Sequence, residues 1–597
     1  MSIVSSRVSS VSSILKGSGV RSALVGSQKR ICFKLPTSLK TVLINYQNGC
    51  DRQAYHDMIC ILRDSNVKDY ELLELLKDLQ ECMSLLGPIH KLLIEVLLNI
   101  NWISRSPEII INFKKFIEDL MCMCIYHSKL VIDKLVLQFK LNYEDASKWT
   151  NGQCPDSYRN KISHIHDLLR KFLKIIPMSS DVLVQSLTSL YPHITEGIIV
   201  TQQYIFALLY ILNYAPQLRK DILSLIIHRL VALDVSVPPS EIQRYEDEEM
   251  EQDDETIFKL DDNTENNSKK SSNVEMKHPN AQLLDVCMEQ LLAYVYECCH
   301  VELNVQIDIL KSIYNDLLYI FERIILPTHA SHHVQFIMFY LCSFKPIIAE
   351  AFVKWLWLKV SNPNVAPIIR QSAVFYIASL LARANYITLN LIQGVLSEMS
   401  TWIHSYISSQ DSLECANSDV RVHTVFYSVC QAMFYLLAFR HKDIIDGKRN
   451  LLFLQGLHLT KIVTCRLNPL RVCQPAVIQN FATVTRKYQL AYCYTIIERN
   501  SRSSLPVLQS TNRFFNLLDT FFPFDPYLLI SSDHRIMPIY NNSQATMGNT
   551  TDSYTSVKKT ECDEDDFMDD NFSPPSLESR NSLDKFSYST SPGFICT

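Results

Sequence analysis

The feature that most restricts the fold of this chain is its shortage of glycine. Only 12 of its 597 residues are Gly, against an average usage of about 7%. Glycine readily adopts positive φ, so turns that need this conformation must be scarce. Hairpin-rich β folds and nucleotide-binding α/β folds depend on such turns, and the chain has no G-x-G-x-x-G, G-x-x-x-x-G-K-[ST] or G-x-S-x-G motif. The composition therefore predicts helices joined by short loops.

Hydrophobic periodicity favours the same fold class. Apolar residues recur at helical spacing on one face at Leu72, Leu75, Leu76, Leu79, Met83 and Leu86, and Gly87-Pro88 then predicts a helix end. Prolines in the first half of the chain recur at intervals near one helix plus its loop, so two such units make roughly 40 residues, the period of HEAT-type hairpins. We therefore predict an all-α, HEAT-repeat-like α-solenoid with an internal disordered acidic loop and disordered termini.

Composition divides the chain into five segments. We predict that residues 1–34 form a disordered, basic, Ser-rich tail and that residues 35–238 and 279–535 form the N- and C-terminal HEAT-like helical repeats. An acidic loop at 239–278 and an acidic, Ser/Pro-rich tail at 536–597 are predicted to be disordered, because like charges repel and few apolar residues are present to bury. The first 30 residues also overlap the composition of mitochondrial transit peptides, which stays open as an alternative.

Cysteine usage, charge and hydropathy argue against several classes of protein. The 18 cysteines include no C-x-x-C pair, which favours core thiols in a reducing compartment. The formal net charge of −5 implies no global attraction to nucleic acid, and the basic residues look scattered along the chain. The apolar run 334–344 is shorter than the ~20 residues that a membrane span requires, so we expect no membrane partner.

No local spacing nominates a catalytic constellation, and we expect neither enzyme activity nor a cofactor. His329, His332 and His333 could share a helix face and ligate a metal. They stand, however, at the start of an apolar helix, where we expect His and Ser to satisfy free N-terminal amides or to pack at a repeat junction. The sequence therefore assigns no catalytic, cofactor or metal site.

A set of distinctive segments gives a more specific indication. They begin with Leu326 to Lys345 and continue with Leu380–Ala384, Ala438–Lys442, Asn468–Leu470, Lys487–Leu490, Cys493–Asn500 and Leu518–Pro526. In this order they resemble the RNA polymerase I-specific transcription initiation factors of the TIF-IA type, over roughly residues 35 to 530.

The resemblance implies a HEAT-repeat solenoid that binds RNA polymerase I and bridges it to a promoter-bound selectivity or core factor on ribosomal DNA. It further implies regulation by phosphorylation and a place in the nucleus and nucleolus, with ribosomal DNA contacted mainly indirectly. A generic helical-repeat scaffold or nuclear transport adaptor is the alternative, and self-association stays open.

Candidate site residues follow from both arguments. Relatives carry serines at the polymerase interface, and the local match at 102–106 makes Ser104 and Ser106 polymerase-binding candidates in a turn where hydroxyls should be exposed. Ser573 and Ser591 precede prolines and Ser582 follows Arg580, so these three are phosphorylation candidates. Ser147 lacks the downstream acids that an acid-directed kinase needs, which puts that route of control in doubt.

Overall fold

A computed structural model describes most of the chain. The described residues are 38–64, 67–140, 149, 154–242, 276, 278–302, 304–329, 331–411, 420–445, 448–503, 518, 521–524 and 526–541. They form two compact units, one up to Lys134 and the other from Leu135 onward. The predicted tail 1–34, nearly all of the acidic loop and the tail beyond Asn541 lie outside the described residues. Described structure continues to Asn541, past the boundary at 535 that the sequence suggested.

The first unit is helical. Its helices are α1 Leu39–Gln47, α2 Gln53–Asp64, α3 Asp69–Glu81, α4 Lys91–Leu98 and α5 Pro107–Met123, and α6 Ser128–Leu137 runs across the division. Short 3-10 turns lie at Met83–Leu85, Pro88–His90 and Ile125–His127.

The second unit is also built of helices. In chain order they are α7 Asp156–Ile175, α8 Ser179–Ser189, α9 Ile198–Ile211, α10 Arg219–Val235, α11 Pro279–Cys299, α12 Ile307–Ile320, α13 Phe336–Ser343, α14 Pro346–Ser361, α15 Pro367–Arg383, α16 Leu389–Asp411, α17 Thr424–Phe439, α18 His441–Ile444, α19 Lys448–Gly456, α20 Leu459–Val463, α21 Pro469–Val472, α22 Pro475–Lys487, α23 Tyr494–Ser503 and α24 Asp533–Ile536. Further 3-10 turns lie at Ile194–Glu196, Pro216–Leu218 and Met537–Ile539, and a π-helical turn lies at Phe321–Ile325.

Among the described residues the only sheet is a hairpin of β1 His300–Val301 and β2 Asn304–Val305, antiparallel with His300 opposite Val305. The all-α prediction is confirmed.

Proline and glycine explain many helix boundaries. Proline is the first residue of α5, α11, α14, α15, α21 and α22, where its fixed φ suits the helix and its missing N–H costs no intrahelical bond. Positive φ is rare in the described chain, and four non-glycine residues, Glu302, His458, Asn468 and Gln489, adopt it beside Gly49 and Gly197. The shortage of glycine thus goes with few left-handed turns, several of them made by other residues.

The core forms where each helix packs on near neighbours in sequence. In the first unit α3 packs on α5 and α2 on α4; in the second, α15 packs on α14 and α17, and α17 packs on α22. The leucine stripe predicted from Leu72 to Leu86 is buried throughout, although α3 itself ends at Glu81 and a 3-10 turn carries Met83. In α15 every residue from Ser372 to Arg383 is buried, as expected of a helix at the centre of a helical stack. No helix in the described part of the chain is long and apolar enough to cross a membrane.

Candidate interaction surface

The turn that carries Ser104 and Ser106 joins α4 to α5 and is held at two points. Trp102 is fully buried, and its ring stacks on Phe113 of α5 with centroids 5.3 Å apart. The guanidinium of Arg105 donates to the carbonyl of Val67 at 2.8 Å and to the carboxylate of Asp69 at 2.9 Å. The backbone between these contacts is therefore fixed by groups other than the serines.

The two serines differ in exposure. Ser104 is exposed, whereas Ser106 is half-buried and immediately precedes Pro107, the first residue of α5. The Ser106 hydroxyl makes no capping hydrogen bond. The helix start carries free N–H groups and the positive end of the helix dipole, so an anion at Ser106 is electrostatically favourable for α5 itself.

A free helix face continues from the turn. Glu108, Ile111 and Lys115 are exposed and lie at i, i+3 and i+7, on one side of α5. The side chain of Ile111 is 66% exposed, which is a large apolar group left in water on a described surface otherwise carrying charges and hydroxyls. An exposed isoleucine between charged neighbours is suited to insert into a partner.

A second group of exposed apolar side chains lies elsewhere in the first unit. The ring of His127 contacts the carbonyls of Leu86 and Gly87 at 3.2 Å, which joins the turn 125–127 to the turn 88–90. Exposed apolar side chains flank this junction, namely Ile89, Leu92, Met123, Ile125 and Tyr126. Exposed apolar groups concentrated in this way are typical of interaction sites.

The most distinctive sequence segment, Leu326 to Lys345, is buried. Asp234 at the end of α10 is fully buried, and its carboxylate accepts the backbone amides of His332, His333 and Val334 at 2.8, 2.9 and 3.1 Å. It also contacts Nδ1 of His333 at 2.9 Å. The acceptor of these three amides is therefore Asp234 rather than a His or Ser side chain, whereas the burial of Ser331, His332 and His333 agrees with the other expectation, that they pack between helices. Burial by itself raises the pKa of the Asp234 carboxyl, but His333 and the amides hold that pKa below its usual value.

A second distinctive segment packs against the first. The side-chain amide of Gln335 donates to the carbonyl of Pro523 at 2.6 Å. The buried ring of Phe524 lies 5.3 Å from Phe336 and 5.1 Å from Phe339, and 5.7 Å from Tyr376 of α15. Residues far apart in sequence thus share one aromatic cluster.

The chain that follows this cluster is hydrogen-bonded to several helices of the second unit. Buried Asp285 of α11 accepts the amides of Ser531 and Ser532 at 2.6 and 2.9 Å. Arg535 forms a bidentate pair with Glu289. Asn541 then donates its amide to the carbonyl of Arg383 at 2.6 Å. Residues 521–524 and 526–541, which we call the C-terminal strap, are therefore fastened to α11, α13 and α15.

The remaining distinctive segments also contact one another. Arg440 donates to the carbonyls of Leu381 and Ala384 at the end of α15, at 3.1 and 2.5 Å. Asn468 and Asn500 exchange two amide hydrogen bonds of 2.8 and 3.2 Å. These contacts hold helix ends together.

The three histidines are separated by their environments. His329 is exposed, whereas His332 and His333 are buried, and burial lowers the pKa of His332 to about 4. Within the described residues, no group of three or more His, Cys, Asp or Glu side chains is placed to hold a metal ion. Ser573, Ser582 and Ser591 lie outside the described residues, as does Ser147.

Sequence reasoning missed Asp234 and Asp285. Each is an acid within a helix that otherwise looks amphipathic, and its amide partners lie roughly 100 and 246 residues away. A buried acid in an apolar stripe was the one available signal.

Known proteins match this chain over nearly the same range as the described residues, which run from 38 to 541 with gaps. The sequence profile of the family described as RNA polymerase I specific transcription initiation factor RRN3 matches residues 35–547. The mouse (Mus musculus) RNA polymerase I-specific transcription initiation factor RRN3 is 36% identical over 542 residues, covering 86% of this chain and 81% of the mouse protein. A protein of that description from Schizosaccharomyces pombe is 26% identical over 507 residues, covering 80% of each chain.

A solved structure supports the fold. The crystal structure of RNA polymerase I transcription initiation factor Rrn3 superimposes with a TM-score of 0.64 at 21% identity, over 84% of this chain and 96% of that one. The helical architecture described above is therefore shared.

Proposed function

The chain belongs to the family of RNA polymerase I-specific transcription initiation factors, and we propose that it binds RNA polymerase I and bridges it to a promoter-bound selectivity or core factor on ribosomal DNA. The observation that carries this proposal is the match of the family profile over residues 35–547. Under this proposal the chain works in the nucleus and nucleolus as an interaction protein, and contact with ribosomal DNA is mainly indirect.

The polymerase-binding surface in this proposal includes Ser104, Ser106 and the exposed face of α5. Its support is physical: the turn is fixed by Trp102 and Arg105, so the exposed Ser104 and Ile111 are presented without a rearrangement. A pre-organised surface loses little conformational entropy on binding.

Phosphorylation offers a direct means of control at this turn. Each phosphate adds roughly −1.5 to −2 charges and three acceptor oxygens. On either neighbour of Arg105, those oxygens compete with Asp69 for the guanidinium, and in a bound complex they must be desolvated or paired. Phosphate at this turn is therefore expected to weaken an interface that forms around neutral hydroxyls. The tail serines Ser573, Ser582 and Ser591 are further regulatory candidates under the same proposal.

The first test is the set of proteins that a tagged chain retains from nuclear extract. We expect the subunits of RNA polymerase I to dominate this set. Enrichment of RNA polymerase II or of a nuclear import GTPase, with RNA polymerase I at background, would overturn the proposal in favour of a general scaffold or a transport adaptor.

The second test addresses the surface. The double substitution Ser104→Asp/Ser106→Asp is expected to weaken polymerase binding by about tenfold, or about 1.4 kcal/mol, with unchanged circular dichroism. The double Ala variant should bind nearly normally. Ser157→Asp is the matched control, because Ser157 is an exposed serine in the first turn of α7. A fall in melting temperature for the Asp pair would instead make these serines structural.

A further inference from the structure

The distribution of charge in helices α19 to α23 departs strongly from that of the whole chain. The formal net charge of the protein is −5. Between residues 448 and 503, however, nine residues are Lys or Arg and the one carboxylate is Glu498. The sequence impression that basic residues are scattered is therefore wrong for this region.

These basic residues reach the surface together. The seven on helices α20 to α23 and their connections are all exposed; they are Lys461, Arg466, Arg471, Arg486, Lys487, Arg499 and Arg502, and we call them the basic surface. Of these seven, only Arg502 forms an ion pair within the described part of the chain, with Glu498 at 2.6 Å. A surface that carries so much uncompensated positive charge attracts a polyanion.

Contacts between the four helices keep the basic surface in one region. The Asn468–Asn500 amide pair joins the start of α21, which carries Arg471, to α23, which carries Arg499. The guanidinium of Arg486 lies 5.5 Å from the ring centroid of Tyr494. The hydroxyl of Thr460 donates to the carbonyl of Leu490 at 3.2 Å, which brings the neighbouring Lys461 to the end of α22.

Exposed aromatic rings accompany the charges. Tyr492 is 75% exposed and Tyr494 is 43% exposed, and both lie between Lys487 and Arg499 in sequence. The ring of Tyr488 lies 5.4 Å below the ammonium of Lys487. The ligand that fits this surface is therefore negatively charged and also carries flat or apolar groups.

The chain itself contains a segment with this chemistry. Seven of the ten residues 561–570 are Asp or Glu, and Phe567 and Met568 stand among them. We propose that this acidic segment docks on the basic surface of the same molecule, with its carboxylates on the lysines and arginines and Phe567 against the exposed tyrosines. The segment lies outside the described residues and outside the matched range 35–547, so the proposal goes beyond the function proposed above and does not depend on it.

Geometry allows this contact. Asn541 is bonded to Arg383, whose guanidinium lies 4.7 Å from the ring of Phe439 at the end of α17. Further along α17, Phe434 stacks on Phe481 of α22 at 4.2 Å, and the whole of α17 is only about 24 Å long. The 20 residues from Asn541 to Glu561 can extend to roughly 66 Å, so the acidic segment can reach the basic surface.

Tethering favours the acidic segment over a nucleic acid as the resident ligand. A covalent connection of this length gives an effective concentration on the order of millimolar, whereas free polyanions must bind from solution. A nucleic acid would also leave unexplained why Phe567 and Met568 lie within the acidic run. Because the contact joins opposite charges, added salt should weaken it.

Zero-length carbodiimide cross-linking of the full chain, followed by mass spectrometry, tests the proposal. Cross-links within monomers should join Lys461 or Lys487 to carboxylates of residues 561–570, and should fall at least fivefold when NaCl is raised from 50 to 500 mM. Lys354, an exposed lysine of α14, is the matched control and should not cross-link to the segment. Cross-links spread evenly over Lys354 and the basic surface, or found only in dimers, would overturn the proposal.

A binding experiment separates the two classes of polyanion. The chain truncated after residue 547 should bind a labelled peptide of residues 555–575 at least fivefold more tightly than the full chain does. The double substitution Arg486→Glu/Lys487→Glu in the truncated chain should abolish this binding, and Lys354→Glu should not. The result that would contradict the proposal is a single-stranded DNA oligonucleotide that binds both chain lengths equally well while the peptide binds neither.

Discussion

The turn at Ser104–Ser106 and the segment from Leu326 to Lys345 are opposites in sequence and in structure. The segment is the most distinctive stretch of the chain, yet from Ser331 to Cys342 every residue is buried, around Asp234 and the C-terminal strap. The turn has little to mark it in sequence, yet it presents an exposed hydroxyl at Ser104, and the helix that follows it carries the exposed Ile111. The distinctive residues of this chain therefore serve packing in the core, whereas the proposed binding residues lie on the surface in a segment of ordinary sequence.

The largest expected effect is on the buried side of this comparison. Asp234→Asn removes a buried charge that accepts three amides and contacts His333, so we expect a loss of about 3–5 kcal/mol in the free energy of unfolding. Urea unfolding followed by circular dichroism measures it. Glu350→Gln, on an exposed position of α14, is the control and should stay within about 0.5 kcal/mol. Equal stability of the two variants would remove Asp234 from its structural role.

The C-terminal strap should depend on one aromatic ring. Phe524→Ala leaves a cavity between Phe336, Phe339 and Tyr376, and we expect a loss of about 3 kcal/mol, at the low end for such truncations because the strap can shift toward the gap. Limited proteolysis should cut the variant within 526–541 faster than the parent. Unchanged cleavage with unchanged stability would show that the strap is held by its hydrogen bonds alone.

The stabilisation by Asp234 should depend on pH in a defined direction. A carboxyl whose pKa is lowered on folding stabilises the protein above its unfolded pKa, and this contribution is lost as the pH falls toward the folded pKa. The difference in unfolding free energy between the parent and Asp234→Asn should therefore shrink as the pH falls through and below 3.8, the ordinary value for Asp. A difference that grows on acidification would contradict the assigned direction.

The smallest effect is expected at the exposed face of α5. Ile111→Ala should leave the free energy of unfolding within about 0.5 kcal/mol, because the side chain is 66% exposed. The free energy of polymerase binding should nevertheless weaken by about 1 kcal/mol, since only a minority of interface residues cost that much when they are truncated to Ala. Lys129→Ala on α6 is a surface control in the same unit. Unchanged affinity for the Ile111 variant would restrict the surface to the serine turn.

Local rules predicted much of the fold. The stripe from Leu72 to Leu86 is buried, Pro107 begins α5, and Ser104 is exposed in a turn between helices, as the sequence indicated. Contacts across long sequence separations could not be predicted from local patterns. The structural role of Asp234, for example, depends on amides roughly 100 residues away. Left-handed positions at Asn468 and Gln489 were also missed, since Asn adopts positive φ only in a minority of cases and Gln gives no such signal.

The most direct test of the contrast is the affinity of three chains for purified RNA polymerase I, measured at 10 °C where all should be folded. We expect Ser104→Asp/Ser106→Asp to bind about tenfold more weakly than the parent while melting at the same temperature. Phe524→Ala should melt at a lower temperature and bind within twofold of the parent. Full affinity for the serine variant together with lost affinity for Phe524→Ala would contradict the account and place the polymerase-binding surface beside the C-terminal strap.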